Sequence, residues 1–522
     1  MTKYLIKRLL HGLFSVVAVV GLVMLLIYSL MNRNLIFVND PQYTKLSNNV
    51  KTVYMNQQWE AYGYIDYENY NDFISQLHLT GEMSDAEYES AKTLGRDATK
   101  DNKVTQKYVK MFTEYYEERG WKVTRLNAIS YGGNRIAAGG DSKLFASRDI
   151  PIIKRMWEYF SKLIKIEDIN YAKNISGERG LTFTLHDPLS EGKLSPAIIG
   201  NGTEHKYLLY FDSQFPYIHQ NIIKIKLGTS YSVKKGVDVF DNITARQGAY
   251  VKRTVTFPTG LVEESADDLH TAKYIEGSRE ATVINRERFV DDYTNVDTYK
   301  NSMSRIGFSF VIGIIATFIA YIVGIPVGVV MSRKKDKLVD KIGTIYIIFI
   351  IAVPSLAYIF LFKAIGGKLG LPTTFITERL TWTMYVLPII SLSLPSIAGL
   401  MRWTRRFMID QMNSDYVKFA RSGGLTENEI FTKHILKNAA IPIIQGIPGS
   451  ILGALTGAII TERVYVVPGA GGLLTTAINS YDNGVIVGVT LFYAMLSIIS
   501  LILGDLLMAT VDPRISYTTK DR

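Results

Sequence analysis

The sequence of 522 residues carries 58 Lys and Arg against 48 Asp and Glu, a net charge of +10, and contains no cysteine. The lack of cysteine excludes a disulfide framework and a thiolate metal site. A basic excess would also suit nucleic-acid binding, but much of it flanks apolar runs, which is typical of membrane topology signals. We therefore expect a membrane protein that does not bind nucleic acid.

The first element is an apolar run from Leu13 to Leu30 without a charged residue. About 20 such residues in a helix cross the hydrocarbon layer of a bilayer. Lys3, Lys7 and Arg8 precede the run, as in a secretory signal, but Met31-Asn32-Arg33 offers no small-residue cleavage site. The run is therefore predicted to be an uncleaved membrane anchor.

Residues 32–303 form a polar region without a run of membrane-spanning length. Helical spacing of apolar residues marks Tyr108–Arg119 and Ile152–Ile166, whereas Leu181–Leu185 and Tyr207–Phe211 have strand patterns. Turns are predicted at the glycine-rich breaks Gly132-Gly133, Gly139-Gly140 and Gly200-Asn201-Gly202. The region is predicted to be a soluble domain of mixed α and β structure.

Five further apolar runs are predicted to be membrane helices: Ile306–Met331, Ile342–Phe362, Trp382–Leu400, Ile441–Val464 and Val485–Met508. With the first run they make six spans, and basic clusters at Lys3–Arg8, Arg333–Lys337 and Arg402–Arg406 all fall on one side of them. The positive-inside rule assigns that side to the cytoplasm. Both termini are then cytoplasmic, and residues 32–303 lie outside the cell.

Several residues in these runs are costly in an exposed helix: Pro326, Pro354, Pro388, Pro395 and Pro448. Neighbouring helices are expected to compensate for the backbone hydrogen bonds that proline removes. Gly449, Gly453 and Gly457 recur at every fourth position, which permits close approach of another helix. That helix belongs either to another subunit or to the same bundle.

The connection from Arg402 to Ala440 has local features that a passive linker would not need. Gly423-Gly424 interrupts two helical stretches; Asn413, Ser414 or Asp415 can cap the first of them. Thr426-Glu427-Asn428-Glu429 reads as a capping box that opens the second, in which Ile430, Phe431, His434 and Ile435 share a face. The prediction is a helix, a glycine turn and a helix, with a generic amphipathic hairpin beside the membrane as the alternative.

This segment, from Asp415 to Leu425 and on through His434, Asn438, Ala439 and Pro442, resembles the coupling loop of binding-protein-dependent importers. It is most similar to the oligopeptide and dipeptide permease family, in which the loop docks into a cleft on the cytoplasmic ATPase. Further resemblance lies at Tyr4–Leu10, Lys226–Tyr231, Arg402–Arg406, Glu462–Gly472 and Asp505–Ile515. Where the general signature has Glu-Ala-Ala, this chain has Lys418-Phe419-Ala420, so contacts of that Glu are not carried over.

The resemblance implies an α-helical polytopic membrane protein with six transmembrane helices in the type I ABC importer permease fold. An α+β extracellular domain is inserted, as in Gram-positive oligopeptide permeases. The expected division is 1–31, 32–303 and 304–522, with a coupling loop at about 405–440. The implied coupling residues are Asp415, Tyr416, Ala420, Arg421, Gly424, Leu425, His434, Asn438 and Pro442.

The resemblance also implies the partners: a second homologous permease, two cytoplasmic ABC ATPases, an extracellular peptide-binding lipoprotein, membrane lipid and an oligopeptide substrate. No cofactor is expected on this chain, because ATP and Mg²⁺ belong to the ATPases. Consistent with this, the sequence contains no Gly-x-x-x-x-Gly-Lys-Ser/Thr loop to cradle nucleotide phosphates. The exterior domain docks the binding protein, covers the mouth of the pathway or contacts the cell wall. Docking is the preferred interpretation, since its many tyrosines suit protein contact as well as an ordinary core.

Two acidic residues in the apolar runs, Glu462 and Asp505, are predicted to serve either in a gate or in packing. For Glu462, an ion pair with Arg463 is the simpler interpretation. Three alternatives to an oligopeptide permease stay open: a permease for nickel, dipeptide or another small solute, a membrane-anchored surface receptor, and a membrane enzyme. The enzyme ranks last, because no triad, metal cluster or nucleophile motif stands out in residues 32–303.

Overall fold

The computed structural model describes residues 2–131, 135–169, 177–187, 194–211, 218–245, 247, 254–256, 262–264 and 303–511. The first helix, α1, covers Thr2–Leu30. Val20 and Met24 on one side of it are buried, while Leu22 and Leu26 on the other are exposed. This is the pattern of a helix at the edge of a membrane bundle, with one face on its neighbours and one on lipid.

The polar region that follows contains seven helices within its described residues: α2 (Pro41–Lys45), α3 (Asn48–Ala61), α4 (Tyr70–Leu79), α5 (Asp85–Ala91), α6 (Lys103–Glu117), α7 (Ile152–Ser161) and α8 (Val239–Thr244). The helix expected over Tyr108–Arg119 is found as α6. The helix expected over Ile152–Ile166 is too long, because α7 ends at Ser161 and Ile164–Ile166 forms a strand. Cross-strand hydrogen bonding there outweighs the helical spacing of the apolar residues.

Thirteen strands lie in the same described part: β1 (Ile65–Asn69), β2 (Lys122–Leu126), β3 (Ser130–Tyr131), β4 (Arg135–Ile136), β5 (Lys143–Asp149), β6 (Ile164–Ile166), β7 (Gly180–Thr184), β8 (Ala197–Asn201), β9 (Tyr207–Phe211), β10 (Ile218–Gln220), β11 (Ile223–Ile225), β12 (Thr254–Thr256) and β13 (Val262–Glu264). They form antiparallel sheets in the orders β1-β5-β2 and β10-β9-β8-β7, with pairs β6-β11, β3-β4 and β12-β13. The strands expected near Leu181–Leu185 and Tyr207–Phe211 are confirmed as β7 and β9.

The central strand β5 joins two cores of this α+β part. Leu144 and Ala146 pack on the side of α4, α5 and α6, whereas Phe145 packs on the other side with Trp59 and Tyr64. Successive strand residues point to opposite faces, so one strand serves both cores. Of the predicted glycine turns, Gly139 and Gly202 have φ of +69° and +91°. The Gly132-Gly133 turn lies outside the described residues.

The last part of the chain is helical and comprises α9 (Arg305–Arg333), α10 (Leu338–Ala352), α11 (Ser355–Lys368), α12 (Thr383–Met412), α13 (Asp415–Ser422), α14 (Glu427–Glu429), α15 (Leu436–Gln445), α16 (Ile447–Tyr465), α17 (Ala470–Asn479) and α18 (Asn483–Val511), with a π-helical turn over Ile430–Ile435. Among the described residues, α1, α9, α12 and α18 are long and apolar enough to cross a membrane. Two bent pairs, α10 with α11 and α14–α15 with α16, bring the number to six if each pair is one span.

The run Ile342–Phe362, predicted to be a membrane helix, is divided into two helices, α10 and α11, which meet at 106°. Pro354 separates them; it has no N–H for the helical ladder and disfavours helical backbone in the residue before it. That residue, Val353, has φ −84° and ψ 128°. The run Ile441–Val464 is also bent, by 41°, where α15 gives way to α16 beside Pro448.

The tightest helix pair within the bundle is α9 with α12, and two glycines permit it. A Cβ on Gly324 would lie 2.8 Å from Leu400 Cβ, and one on Gly328 would lie 2.9 Å from Met401 O. Only a residue without a side chain fits at such distances. Pro388 and Pro395 lie inside α12 without ending it.

Candidate functional site

The connection between α12 and α16 folds as a hairpin, which we call the coupling hairpin (415–438). Its first helix, α13, ends at Ser422, and the chain reverses before Thr426 begins the next helix. Gly424 has φ +80°, and a Cβ built on it would meet nothing within 4 Å. Glycine is therefore required at 424 by conformation and not by space. The predicted helix, glycine turn and helix is confirmed.

Reciprocal hydrogen bonds fix the turn on its second side. Thr426 Oγ1 accepts from the N–H of Glu429 at 3.3 Å, and the N–H of Thr426 donates to Glu429 Oε2 at 3.2 Å. This is the predicted capping box. Across the turn, Arg421 donates to both carboxylate oxygens of Glu427, at 2.6 and 3.2 Å, and this hydrogen bond lowers the pKa of Glu427. The pair is therefore ionised at neutral pH and holds the two helices together.

The first helix of the hairpin is capped differently from the expectation. Ser414 occupies the N-cap position, but its hydroxyl donates to Gln411 O at 2.6 Å instead of accepting from α13. Tyr416 Oη donates to Gln411 Oε1 at 2.8 Å, and the carboxylate of Asp415 accepts from Lys418 at 2.8 Å. The end of α12 and the start of α13 are thus linked by side chains.

The coupling hairpin has an apolar core of its own. Its buried members are Met408, Val417, Ile430, Phe431, Ile435 and Ala439. Because Met408 belongs to α12, this core joins the hairpin directly to a membrane helix. Three of the four residues predicted to share a face are buried in it, and His434 lies half-buried beside them.

Two cationic side chains connect the hairpin region to other membrane helices. Arg333, at the end of α9, lies 5.0 Å from the ring centre of Phe431 and donates to Asn428 Oδ1 at 3.1 Å. Arg405 of α12 donates to both oxygens of buried Asp340 at 2.5 and 2.7 Å, which ties α12 to the start of α10. A displacement of the hairpin would therefore act on α9 and α12 together.

The tip of the hairpin presents apolar surface. Phe419 is 77% exposed and Leu425 is 39% exposed, one on each side of Gly424. Exposed Lys418 and Arg421 surround them. Apolar side chains on a rigid turn with a charged rim are typical of a protein docking surface.

The structure brings most of the predicted coupling residues together in this hairpin: Asp415, Tyr416, Ala420, Arg421, Gly424, Leu425 and His434. Asn438, the last residue of the hairpin, and Pro442, just beyond it, both lie in α15. Their position indicates that they belong to the root of the hairpin and not to its tip. The docking role of all nine residues stays a prediction.

Glu462 is buried near the end of α16. Its carboxylate accepts from Ser309 Oγ at 2.6 Å and from the N–H of Gly472, in the first turn of α17, at 2.9 Å. Arg463 is exposed, so the predicted ion pair between these neighbours is not formed. The carboxylate instead satisfies backbone donors at a helix N-terminus, where negative charge is favourable. Glu462 thereby fastens α17 to α9 and α16.

Asp505 lies on α18, 2.9 Å from Nε of Arg8 on α1. The ion pair joins the first and last membrane helices near the basic end of α1. This contact suits the packing alternative, and a gating role for Asp505 or Glu462 stays a prediction. Among the residues that the structure describes, no group of three or more His, Cys, Asp or Glu could hold a metal ion.

Sequence reasoning missed Asp482, which is buried between α17 and α18. It accepts from Ser230 Oγ at 2.6 Å and from the N–H groups of Tyr231, Ser232 and Val233 at 2.8 to 2.9 Å. Asp482 thus fastens residues 230–233 to the helical part. The resemblance of Lys226–Tyr231 to other permeases indicated that this segment matters, but a single sequence could not identify Asp482, about 250 residues further along the chain, as its partner.

The chain is similar to known subunits of membrane transport systems. The profile of the binding-protein-dependent transport system inner membrane component matches residues 324–517. The oligopeptide transport system permease protein AmiC of Streptococcus pneumoniae is 34% identical over 530 residues, covering 100% of this chain and 99% of its own. The dipeptide transport system permease protein DppB of Lactococcus lactis is 31% identical and covers 43% of this chain and 73% of its own.

A crystal structure of the MetNI methionine ABC transporter aligns with 40% of this chain and 94% of the matched chain, at 14% identity and a TM-score of 0.33. The similarity to AmiC, by contrast, extends through the polar region between α1 and α9.

Proposed function

The chain belongs to the family of binding-protein-dependent transport permeases and is a membrane subunit of an ABC importer. We propose that it imports oligopeptides and that ATP hydrolysis drives this transport through the coupling hairpin. ATP hydrolysis belongs to separate subunits. The names of the relatives support the substrate class, since AmiC is an oligopeptide permease and DppB a dipeptide permease. A nickel permease and a surface receptor have no comparable support.

The observation that carries the proposal is the rigid hairpin with an exposed tip and a buried root. The tip offers Phe419 and Leu425 to a partner, and the root is fixed to α12 by Met408 and to α9 by Arg333. Motion of an ATPase that grips the tip would be transmitted to these two helices as a rigid-body displacement. The tightly packed pair α9 and α12 would then move as one unit and open the pathway alternately to either side.

The proposed topology has six spans, with the two bent helix pairs counted as one span each. Basic clusters at Lys3–Arg8, Arg333–Lys337 and Arg402–Arg406 support cytoplasmic termini. Residues 32–303 then form an inserted extracellular domain, and the coupling hairpin faces the cytoplasm. The absence of cysteine from the sequence allows a clean test. A single cysteine at Leu79 should react with a membrane-impermeant maleimide in intact cells, and one at Phe419 should react only after lysis.

The proposed assembly contains a second permease, two ATPases and an extracellular peptide-binding lipoprotein. We propose that the binding protein docks on the extracellular domain, and that membrane lipid surrounds the exposed sides of α1, α9 and α18. ATP and Mg²⁺ are held by the ATPases and not by this chain.

Uptake of a labelled oligopeptide tests the function most simply. Cells that carry the wild-type chain should import it, and cells with residues 415–438 replaced by a flexible linker should not, at equal membrane levels. Labelled dipeptide and nickel serve as competing substrates in the same cells. Uptake of nickel without peptide would contradict the substrate class, and normal peptide uptake by the replaced chain would contradict coupling through the hairpin.

A further inference from the structure

The amphipathic helix α7 presents large apolar side chains to the outside of the protein. Ile153 is 81% exposed and Trp157 is 74% exposed. They are four residues apart and therefore share one face of the helix. On the opposite face, Arg155 is buried, with its guanidinium 3.7 Å and 3.9 Å from the ring centres of Tyr28 and Tyr64.

The neighbouring strand pair β6-β11 also has its apolar side chains outside and its charged side chains inside. Its four isoleucines are paired directly across the strands, Ile166 with Ile223 and Ile164 with Ile225. They are exposed by 67%, 56%, 66% and 44% in that order. Lys165 and Lys224 also face each other, and both reach Glu204 on the other side of the pair. The lysines are thus satisfied inside the protein, whereas the isoleucines are outside.

A domain surrounded by water would be expected to bury its isoleucine and tryptophan side chains and to expose its lysine and arginine side chains. Burying an Ile or Trp side chain is worth about 1.5–3 kcal/mol, so six such side chains in water would be a large loss. Monomeric soluble proteins rarely expose a contiguous apolar patch of this kind. The surface therefore requires an apolar covering, either lipid or the apolar face of a protein.

Two contacts show where this surface lies relative to the membrane helices. Met156, between Ile153 and Trp157, packs on Gly21 of α1, where a Cβ would lie 2.8 Å from Met156 Cε. Gly21 precedes the end of α1 at Leu30 by about 13 Å along the helix axis. Leu227, two residues after β11, packs on Gly488 of α18, where a Cβ would lie 2.4 Å from Leu227 O. Gly488 lies about 7 Å below the start of α18 at Asn483.

Both elements are therefore level with the hydrocarbon-crossing parts of α1 and α18. On α1 itself, Leu22, Leu25 and Leu26 are exposed at the same height. The exposed apolar surface of the α+β part thus lies at the height of the lipid-facing surface of α1. Its charged neighbours, Lys154 on α7 and Lys162 just after it, both pair with Glu158 and have stems long enough to carry their ammonium groups towards the headgroups. An amphipathic helix buries its apolar face about 5–10 Å into the boundary of headgroups and acyl chains. The depths found here, about 13 Å from the end of α1 and about 7 Å from the start of α18, are of the same order.

We propose that α7 and the β6-β11 pair form a lipid-embedded face, with Ile153, Trp157, Ile164, Ile166, Ile223 and Ile225 among the acyl chains of one leaflet. The proposal rests on the proposed topology only in placing this face in the outer leaflet. The domain is then seated in the membrane and not merely tethered by α1. This fixes the height at which it receives a partner.

Single cysteines in the naturally cysteine-free chain test this directly. Ile153→Cys, Ile166→Cys and the control Leu79→Cys are labelled with a polarity-sensitive fluorophore in the full-length protein reconstituted in bilayers. Leu79 is 84% exposed and ends α4, whose neighbours are α5, α6, β1 and β5. Labels at 153 and 166 should emit at shorter wavelength than the label at 79. They should be quenched severalfold more by lipids brominated on the acyl chain and severalfold less by aqueous iodide.

Emission and quenching at 153 and 166 equal to those at 79 would overturn the proposal. So would labels shielded from both quenchers in the transporter assembled with its partners, since a protein would then cover this face. If one variant fails to reconstitute, Ile223→Cys on the partner strand replaces it. The measurement needs no transport, so a lipid-exposed face in a chain that imports no peptide would contradict the proposed substrate and leave this inference standing.

Discussion

The two adjacent glycines of the hairpin turn provide a matched pair for testing how conformation governs coupling. Gly424 has φ +80°, whereas Gly423 has φ −76° and ψ 4°. A Cβ at 424 would meet nothing within 4 Å, and one at 423 would lie 3.4 Å from Phe419 O, an ordinary contact. Space therefore tolerates alanine at both positions, but backbone conformation tolerates it only at Gly423.

A left-handed conformation costs an L-residue such as alanine about 1–2 kcal/mol. For Gly424→Ala this corresponds to roughly a 5- to 30-fold lower ratio of native to non-native turn. We expect a loss of oligopeptide uptake in that range for Gly424→Ala, and near-normal uptake for Gly423→Ala. Gly424→Pro, which fixes φ near −65°, should abolish uptake.

The assay is initial uptake of labelled oligopeptide at matched membrane levels, with co-purification of the ATPase as a second measurement. Both should fall together for Gly424→Ala, because the misfolded turn cannot dock. Equal uptake by the two alanine variants would refute the claim that the left-handed turn at 424 is required for coupling.

Four further changes have expected outcomes. Thr426→Ala removes the N-cap and should destabilise the hairpin by about 1 kcal/mol, seen as partial loss of ATPase co-purification that Thr426→Ser restores. Asp340→Asn leaves the charge of Arg405 without its partner and should lower the free energy of unfolding by about 3 kcal/mol. Replacing both residues by apolar ones of similar size should restore most of this lost stability. Asp482→Asn should weaken the attachment of the 230–233 segment by about 2 kcal/mol, measured as faster limited proteolysis of the polar region between α1 and α9. Burial raises the pKa of Glu204, but its two lysine partners outweigh the effect of burial and lower the pKa to about 2. The contribution of the Glu204 carboxylate to stability is therefore present above pH 4.5 and is lost as pH falls towards 2. Glu204→Gln should flatten this acid dependence of the thermal unfolding temperature.

The sequence was most informative where structure is local. The capping box at Thr426, the turn at Gly424 and the strands near 181 and 207 depend on short-range patterns, and all were found where expected. Apolar runs also located α1, α9, α12 and α18, the described helices that are long and apolar enough to cross a membrane, because the bilayer fixes the length that such a helix needs. The bend at Pro354 was signalled by the proline itself, but its angle of 106° depends on packing against distant helices.

Pairings between distant residues could not be predicted. Asp340 with Arg405, Glu462 with Ser309 and Asp482 with residues 230–233 each join segments far apart in the chain. Nothing in the spacing of one sequence specifies such partners, since each acidic residue has many candidate donors. The exposed isoleucines of β6 and β11 were missed for a related reason: a three-residue strand is too short for its pattern to show which face is outside.

The measurement that tests the central claim most directly is site-specific crosslinking from the tip of the coupling hairpin. Phe419→Cys carries a photoreactive maleimide in the chain assembled with its ATPases, and Leu79→Cys serves as the control, because both side chains are exposed but on opposite sides of the proposed membrane. Illumination should join residue 419 to an ATPase and leave residue 79 without such an adduct. An intact, transport-active assembly in which residue 419 never crosslinks to an ATPase would contradict the account.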